Sequence, residues 1–402
     1  MIPICLRSRG QKGDRIMATT KKSNAYRGLI IWMLVLLALA AAACAGYLYT
    51  NNFLDRRVQE NAAEVQTTND RLIAEYNAAM AELNSQRVET AQVDNAWPQP
   101  AASGWDVVDV TSFPISAGTQ VSATRREMLQ GGMLVVNRWH AMPADLTDDL
   151  MVSISRRSRE DNNKATNIPT RNSSVMLMAP AVQALMNLYE DARATGLDMD
   201  NIIVDEGYRT METQTQNWLK ASEKFSSRYS GDKLTQKVLD SGTAYPGTSD
   251  FQSGMSVSLY NYKSGDKDFS NTPLHETEQG KWFYNNCWKY GLVFRFPNQG
   301  FPYPDTEDKS YVTGIDINLK VYRYVGEANA IAMHALDMCL EEYAEYLINH
   351  PHIAVFEDGQ MKAEIYRLEG GYSDAMVTIP GGAVSYTVST DNLDGMVVAV
   401  AF

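Results

Sequence analysis

Cysteine is scarce in this chain: four among 402 residues, too few and too scattered for a disulfide framework. Cys44 lies in a hydrophobic run, and Cys287 and Cys339 fall in apolar helical patterns. They are expected as small buried core residues, with a Cys287–Cys339 bridge as the alternative. Basic charge is also short: 36 Lys/Arg face 48 Asp/Glu, for a net charge of −12. Residues 1–27 hold seven of those bases and one acid, Asp14, so a +6 tail precedes a −18 body. An acidic body repels phosphate backbones, which excludes nucleic acid as the expected partner. There is no G-x-S-x-G elbow and no P-loop, so the α/β-hydrolase type of serine chemistry and nucleotide chemistry lack their usual frames. The five histidines, at 140, 275, 334, 350 and 352, form no metal triad by spacing; His140 beside Trp139 and the His350-Pro-His352 pair read as packed or surface residues.

Long apolar runs are limited to one. Leu29–Tyr49 is uncharged and close to the ~20 residues a helix needs to cross a bilayer. Lys21, Lys22 and Arg27 precede it, so the positive-inside rule expects a cytoplasmic N-terminus, a single span and an extracellular body. The run is too long for a signal core of ~7–15 apolar residues, although its Ala-rich end offers a small-x-small site. Met17 is an alternative start. Asn52–Thr90 has neither Pro nor Gly and is expected to be helical. Leu54, Val58, Val65, Leu72, Tyr76, Ala79 and Leu83 make an apolar seam that Asn61 and Thr68 interrupt, which leaves open a lone stalk helix or a homodimerising coiled coil. A linker with Pro98 and Pro100 follows.

The body carries ungapped motifs. Ala244–Tyr260 reads A-Y-P-G-T-S-D-F-Q-S-G-M-S-V-S-L-Y; Asp205–Trp218 reads D-E-G-Y-R-T-M-E-T-Q-T-Q-N-W; Gln279–Pro297 ends in Y-G-L-V-F-R-F-P; and Gly314–Gly326 ends in R-Y-V-G. Met133–Leu146 supplies an opening L-V-V-N-R-W-H-A-M-P. Together these resemble the bacterial zinc D-alanyl-D-alanine carboxypeptidases of the vancomycin-resistance type, over roughly Met133–Leu347 and weakly beyond. The resemblance implies an α+β fold of the hedgehog/D,D-peptidase type with a zinc cleft, acting on peptidoglycan stems.

The same alignment removes the chemistry. Where the family has S-E-H-Q-T-G-L-A-V-D, this chain has Phe251 for the ligand His and Ser258 for the ligand Asp. Where the family has E-P-W-H-x-R-Y-V-G, it has Asn318 for the general-base Glu and Val321 for the third ligand, His. Phe and Val offer no lone pair to zinc, Ser is a poor neutral ligand, and an Asn amide takes no proton. The expectation is a degenerate member with no cofactor, zinc being absent, and no catalytic residue. Tyr208, Arg209, Gln214, Ser249 and Gln252 remain as candidate ligand-binding residues; the resemblance gives Arg209 the scissile carbonyl and its oxyanion. A peptidoglycan stem peptide or a cell-wall protein is the expected partner. Two alternatives stay open: an active carboxypeptidase (D,D or L,D) with migrated ligands, His275 beside Glu276 being the candidate, and a scaffold of an envelope complex.

The expected order is a basic tail (1–28), transmembrane helix (29–49), helical stalk (50–91), linker (92–104), carboxypeptidase-like domain (105–350) and β-rich extension (351–402). In the domain, Ala179–Thr195, Glu212–Phe225 and Ala328–Ile348 have helical periodicity, and Trp105–Arg126 alternates like a sheet edge. In the extension, Asp391, Asp394 and Gly395 lack the terminal Glu of a calcium loop and read as a hairpin turn.

Overall fold

A computed structural model describes residues 97–160 and 163–402, with residues 30, 32–42, 44–48, 52, 56, 67, 71, 74 and 78 of the N-terminal region. The chain divides into two compact units, Met1–Thr90 and Ala91–Phe402. In the first, the described residues are helical and exposed. The transmembrane helix expected at Leu29–Tyr49 is not borne out there: among the described residues no helix is long and apolar enough to cross a membrane. Most of the expected stalk lies outside the described residues.

The second unit is built on two antiparallel sheets. The first has strand order β5 (Ile202–Glu206), β6 (Ser256–Asn261), β8 (Val321–Tyr324), β7 (Leu292–Phe294). Strand residues alternate between two faces. Val257 and Leu259 of β6 and Tyr322 and Tyr324 of β8 point into a core shared with Val182, Leu185, Leu188 and Tyr189 of helix α1 (Ala179–Ala194). Ser256, Ser258, Val321 and Arg323 therefore belong to the opposite face. Pro180 in the first turn and Gly196, at φ +92°, delimit α1 where the sequence indicated. Helices α2 (Met211–Ser226), capped by Thr210, and α3 (Gly231–Asp240) follow β5. Helix α4 (Glu278–Asn286) leads into β7. A small pair, β3 (Met151–Ser153) with β4 (Met176–Met178), lies before α1.

The second sheet has order β1 (Trp105–Asp109), β9 (His352–Glu357), β10 (Gln360–Glu369), β13 (Gly395–Ala401), β12 (Ser385–Thr390). Trp105–Asp109 is the sheet edge that its alternation indicated, but its partner is His352–Glu357, so the C-terminal run is closed by a strand from before the peptidase-like body. On one face Ile353, Val355, Ile365, Val397 and Ala399 pack against helices α5 (Glu327–Leu336) and α6 (Leu340–Asn349). On the other, Tyr366, Val398 and Val400 are covered by the two-stranded pair β2 (Gly118–Ala123) and β11 (Ala375–Pro380).

The single helix expected over Ala328–Ile348 is two. Asp337 adopts a left-handed conformation at φ 52°, and Glu342 caps the backbone of Cys339 to start the second helix. Cys287 and Cys339 are buried free thiols, so the bridge is not formed. Asp391 accepts hydrogen bonds from the backbone of Leu393 and Gly395 and pairs with Arg367, which makes its loop the hairpin turn between β12 and β13.

Candidate functional site

A cleft of about 460 Å³ opens on the face of the first sheet that carries Ser258. Its walls include Asn137, Arg138, Glu206, Arg209, Ser249, Phe251, Ser258, Phe296, Ile315, Ile317 and Asn318. The register sets its floor. Between Val204 and Glu206 the β5–β6 pairing slips, placing Glu206 opposite Ser258, and Ser258 is in turn opposite Val321 on β8. Glu206, Ser258 and Val321 thus form one cross-strand row. Phe251, on the 3-10 turn Asp250–Ser253, packs with Val321, Phe296 and Ile315 in a small apolar cluster of its own. Val321 is 0% and Phe251 8% exposed. The three positions that the resemblance assigns to metal ligands therefore converge, as Phe, Ser and Val.

That donor set does not fit zinc, which takes N, S or carboxylate O ligands. Among the described residues no group of three His, Cys, Asp or Glu could hold a metal ion. None of the five histidines is among the lining residues; His275 lies beside Glu276 and against the Phe301 ring. Asn318, which the resemblance puts in the general-base position, lines the cleft, and its Oδ1 accepts from the backbone of Lys320 at 3.4 Å.

Of the five candidate binding residues, two face the cleft. Arg209 does so with its guanidinium over the Phe251 ring, 4.7 Å from the centroid, and Ser249 caps the turn that carries Phe251. The other three support the walls. Gln214, fully buried, accepts from Arg209 Nη1 at 2.6 Å and donates to the Ala244 carbonyl. Gln252, fully buried, accepts from the backbone of Gly247 at 2.8 Å. Tyr208 donates to Asp148 at 2.6 Å; burial and that carboxylate push its phenol up. A side-chain amide spent on the backbone of its own loop has little left for a ligand.

Sequence reasoning missed two parts of the site. Glu206 pairs both its oxygens with Arg209, at 2.7 Å from Nε and 2.6 Å from Nη2. Behind the floor, buried Asp250 is gripped by Arg323 and lies 3.1 Å from Arg295 Nε as an ion pair; Arg295 is also held bidentately by Glu341. Arg323 donates besides to the carbonyls of Gly132 and Leu134, tying the opening segment to the sheet. Burial alone would raise the Asp250 carboxyl, but Arg295 and Arg323 outweigh it and hold the group below its ordinary range. The signal was available: Asp250, Arg295 and Arg323 each sit in a matched motif, and Glu206 lies three residues before Arg209 in the motif Asp205–Trp218.

The fold is of the D,D-peptidase type. Residues 174–316 match the VanY D-alanyl-D-alanine carboxypeptidase family. A bifunctional D-Ala-D-Ala dipeptidase and D-Ala-D-Ala carboxypeptidase, VanXYC of Enterococcus gallinarum, is 31% identical over 155 residues, covering 39% of this chain and 72% of that protein. A D-alanyl-D-alanine carboxypeptidase of Enterococcus faecium is 25% identical over 278 residues, 69% of this chain and 77% of the relative. Among solved structures, the vancomycin resistance D,D-dipeptidase VanXYg, in complex with a D-Ala-D-Ala phosphinate analogue, aligns with a TM-score of 0.50 at 21% identity, covering 71% of this chain and 99% of that one. The chain belongs to the D-alanyl-D-alanine carboxypeptidase family.

Proposed function

We propose that this protein is a non-hydrolysing member of its family, a pseudopeptidase that binds a cell-wall peptide, either a peptidoglycan stem or a segment of a cell-wall protein. One observation carries the reading: Phe251 and Val321 pack with Phe296 as an apolar floor, and Ser258 is paired with Val321 beside it. Hydrolysis by this family's route needs a water made acidic by a metal, and a free water keeps a pKa near ~15.7 instead of ~7. Asn318 cannot take the proton at any physiological pH. Four altered positions in one site weigh against a single ligand having migrated, and His275 lies away from the lining residues.

The partner class follows from the relatives, a D-Ala-D-Ala dipeptidase/carboxypeptidase and a D-alanyl-D-alanine carboxypeptidase, and from a cleft that stays open and amphipathic. Exposed Ile317 stands at its rim, the kind of apolar surface a bound peptide covers.

The experiment pairs metal analysis of the purified chain with an assay for D-alanine released from a peptide ending in D-Ala-D-Ala. The expected result is zinc far below one equivalent and no release, with saturable peptide binding by calorimetry. Near-stoichiometric zinc with D-alanine release overturns the reading in favour of the active enzyme; no binding at all turns it towards a scaffold.

A further inference from the structure

We infer that Glu206 determines which peptides the cleft accepts: it places a carboxylate of the chain's own on the guanidinium edge that Arg209 would otherwise offer to a ligand oxygen, so the cleft selects a neutral, amide-bearing peptide segment over a free C-terminal carboxylate. The inference rests on the peptide-binding reading above.

The geometry is that of an occupied anion site. An arginine recognises a carboxylate by two parallel N–H···O bonds from one edge of its guanidinium. In Arg209 that edge is already used, Nε to Glu206 Oε1 at 2.7 Å and Nη2 to Oε2 at 2.6 Å. The next donor, Nη1, is shared between Gln214 at 2.6 Å and Ser249 at 3.3 Å. Phe251 lies against the flat face. Four of the five N–H groups are thereby engaged. Side-chain exposure falls to 15% for Arg209 and 36% for Glu206, so the pair is partly withdrawn from solvent.

The backbone holds Glu206 in this position. The slip in the β5–β6 pairing sets it opposite Ser258, in the same cross-strand row as Val321. An incoming carboxylate would have to displace Glu206 and then lie beside it, two like charges over an apolar floor. A backbone amide or a C-terminal carboxamide meets no such repulsion. Its N–H can use the remaining lone pairs of Glu206 while an apolar side chain covers Phe251 and Phe296.

The test titrates one pentapeptide ending in D-Ala-D-Ala, as the free acid and as the C-terminal amide, into the full chain and its variants by calorimetry. Wild type is expected to bind the amide at least as tightly as the acid. Glu206→Ser opens the guanidinium edge, and the acid is expected to gain on the order of tenfold or more relative to the amide, as a charge-assisted pair allows. Glu206→Gln, which keeps the shape and removes the charge, shifts the ratio in the same direction. Adding Arg209→Ala to Glu206→Ser abolishes the gain. A wild type that prefers the acid tenfold, or an acid-to-amide ratio unmoved in folded Glu206→Ser and Glu206→Gln, overturns the assignment to Glu206 and leaves peptide binding standing. No saturable binding of either form to any variant overturns the peptide-binding reading and this inference with it.

Discussion

Substituting Phe251→His, Ser258→Asp and Val321→His in one chain returns three zinc-ligating side chains to positions that the sheet already brings together. Ser258 and Val321 are directly paired across β6 and β8, and paired Cα atoms lie ~4.5–5.5 Å apart. Phe251 packs in the same cluster as Val321. Without metal the variant should be less stable than wild type. Val321 is 0% exposed, so a larger imidazole overpacks its site at a cost of about 1–3 kcal/mol. Phe251, 8% exposed, loses part of its apolar burial, about 1–2 kcal/mol. Zinc at a hundred times its Kd stabilises the folded state by about 2.7 kcal/mol. That corresponds to a rise of roughly 5 °C in Tm for a unit of this size. The assay is thermal unfolding with added zinc, with a chelator and with neither, on wild type and the triple variant. Wild type should be indifferent to zinc, and the triple variant should recover much of its deficit with zinc alone. A triple variant that keeps native circular dichroism yet shows no zinc-dependent rise would refute the claim that the three positions share one wall of the cleft.

The buried ion network gives a second prediction: Asp250→Asn leaves Arg323 and Arg295 short of a counter-charge and should cost about 3–5 kcal/mol in urea unfolding, against less than about 0.5 for Asp316→Asn at the exposed rim. The pH dependence follows in sign. Glu364 is held low as well: burial would raise it, but hydrogen bonds from His352 and the Ser116 backbone outweigh that. Folded carboxyls depressed below their ordinary 3.8 (Asp250) and 4.5 (Glu364) contribute stability that is present above those values and lost as pH falls through the folded ones. Urea midpoints should therefore be flat near neutrality and drop progressively below about pH 4, with a shallower drop in Asp250→Asn. At Gly132, φ +107°, an added Cβ would come within 2.5 Å of the Val325 carbonyl carbon, so Gly132→Ala should lower stability by about 1–3 kcal/mol, read as a shift in urea midpoint. Burial pushes the Cys287 thiol up to about 12 and raises Cys339 as well, so iodoacetamide should leave both unmodified in the native protein and label both in guanidinium, as peptide mass spectrometry would report.

How much of this was legible beforehand depends on the range of the interaction. Periodicity placed α1 and α2 within a residue, because apolar spacing and a stop at Gly196 are local properties. The break at Asp337 was not visible in the apolar pattern, which runs on through it; the sign was a cap, Cys339 followed by Glu342. Phe251, Ser258, Asn318 and Val321 were singled out from motif register alone, since the resemblance supplies the residue type expected at each offset.

What the tertiary structure decided was which of the remaining polar residues face the cleft. By type alone Gln214 and Gln252 are as good as Arg209, yet both amides are consumed by nearby backbone and side-chain partners. Glu206 reads as a surface acid until a slip in strand pairing swings it onto Arg209. Asp250 is unremarkable in sequence, and it becomes the anchor of two arginines, one 45 and the other 73 residues away, only when β7 and β8 close on its turn. Residue chemistry is written in the chain; whether a charge is offered to a ligand or neutralised internally depends on partners that only folding brings within three ångströms.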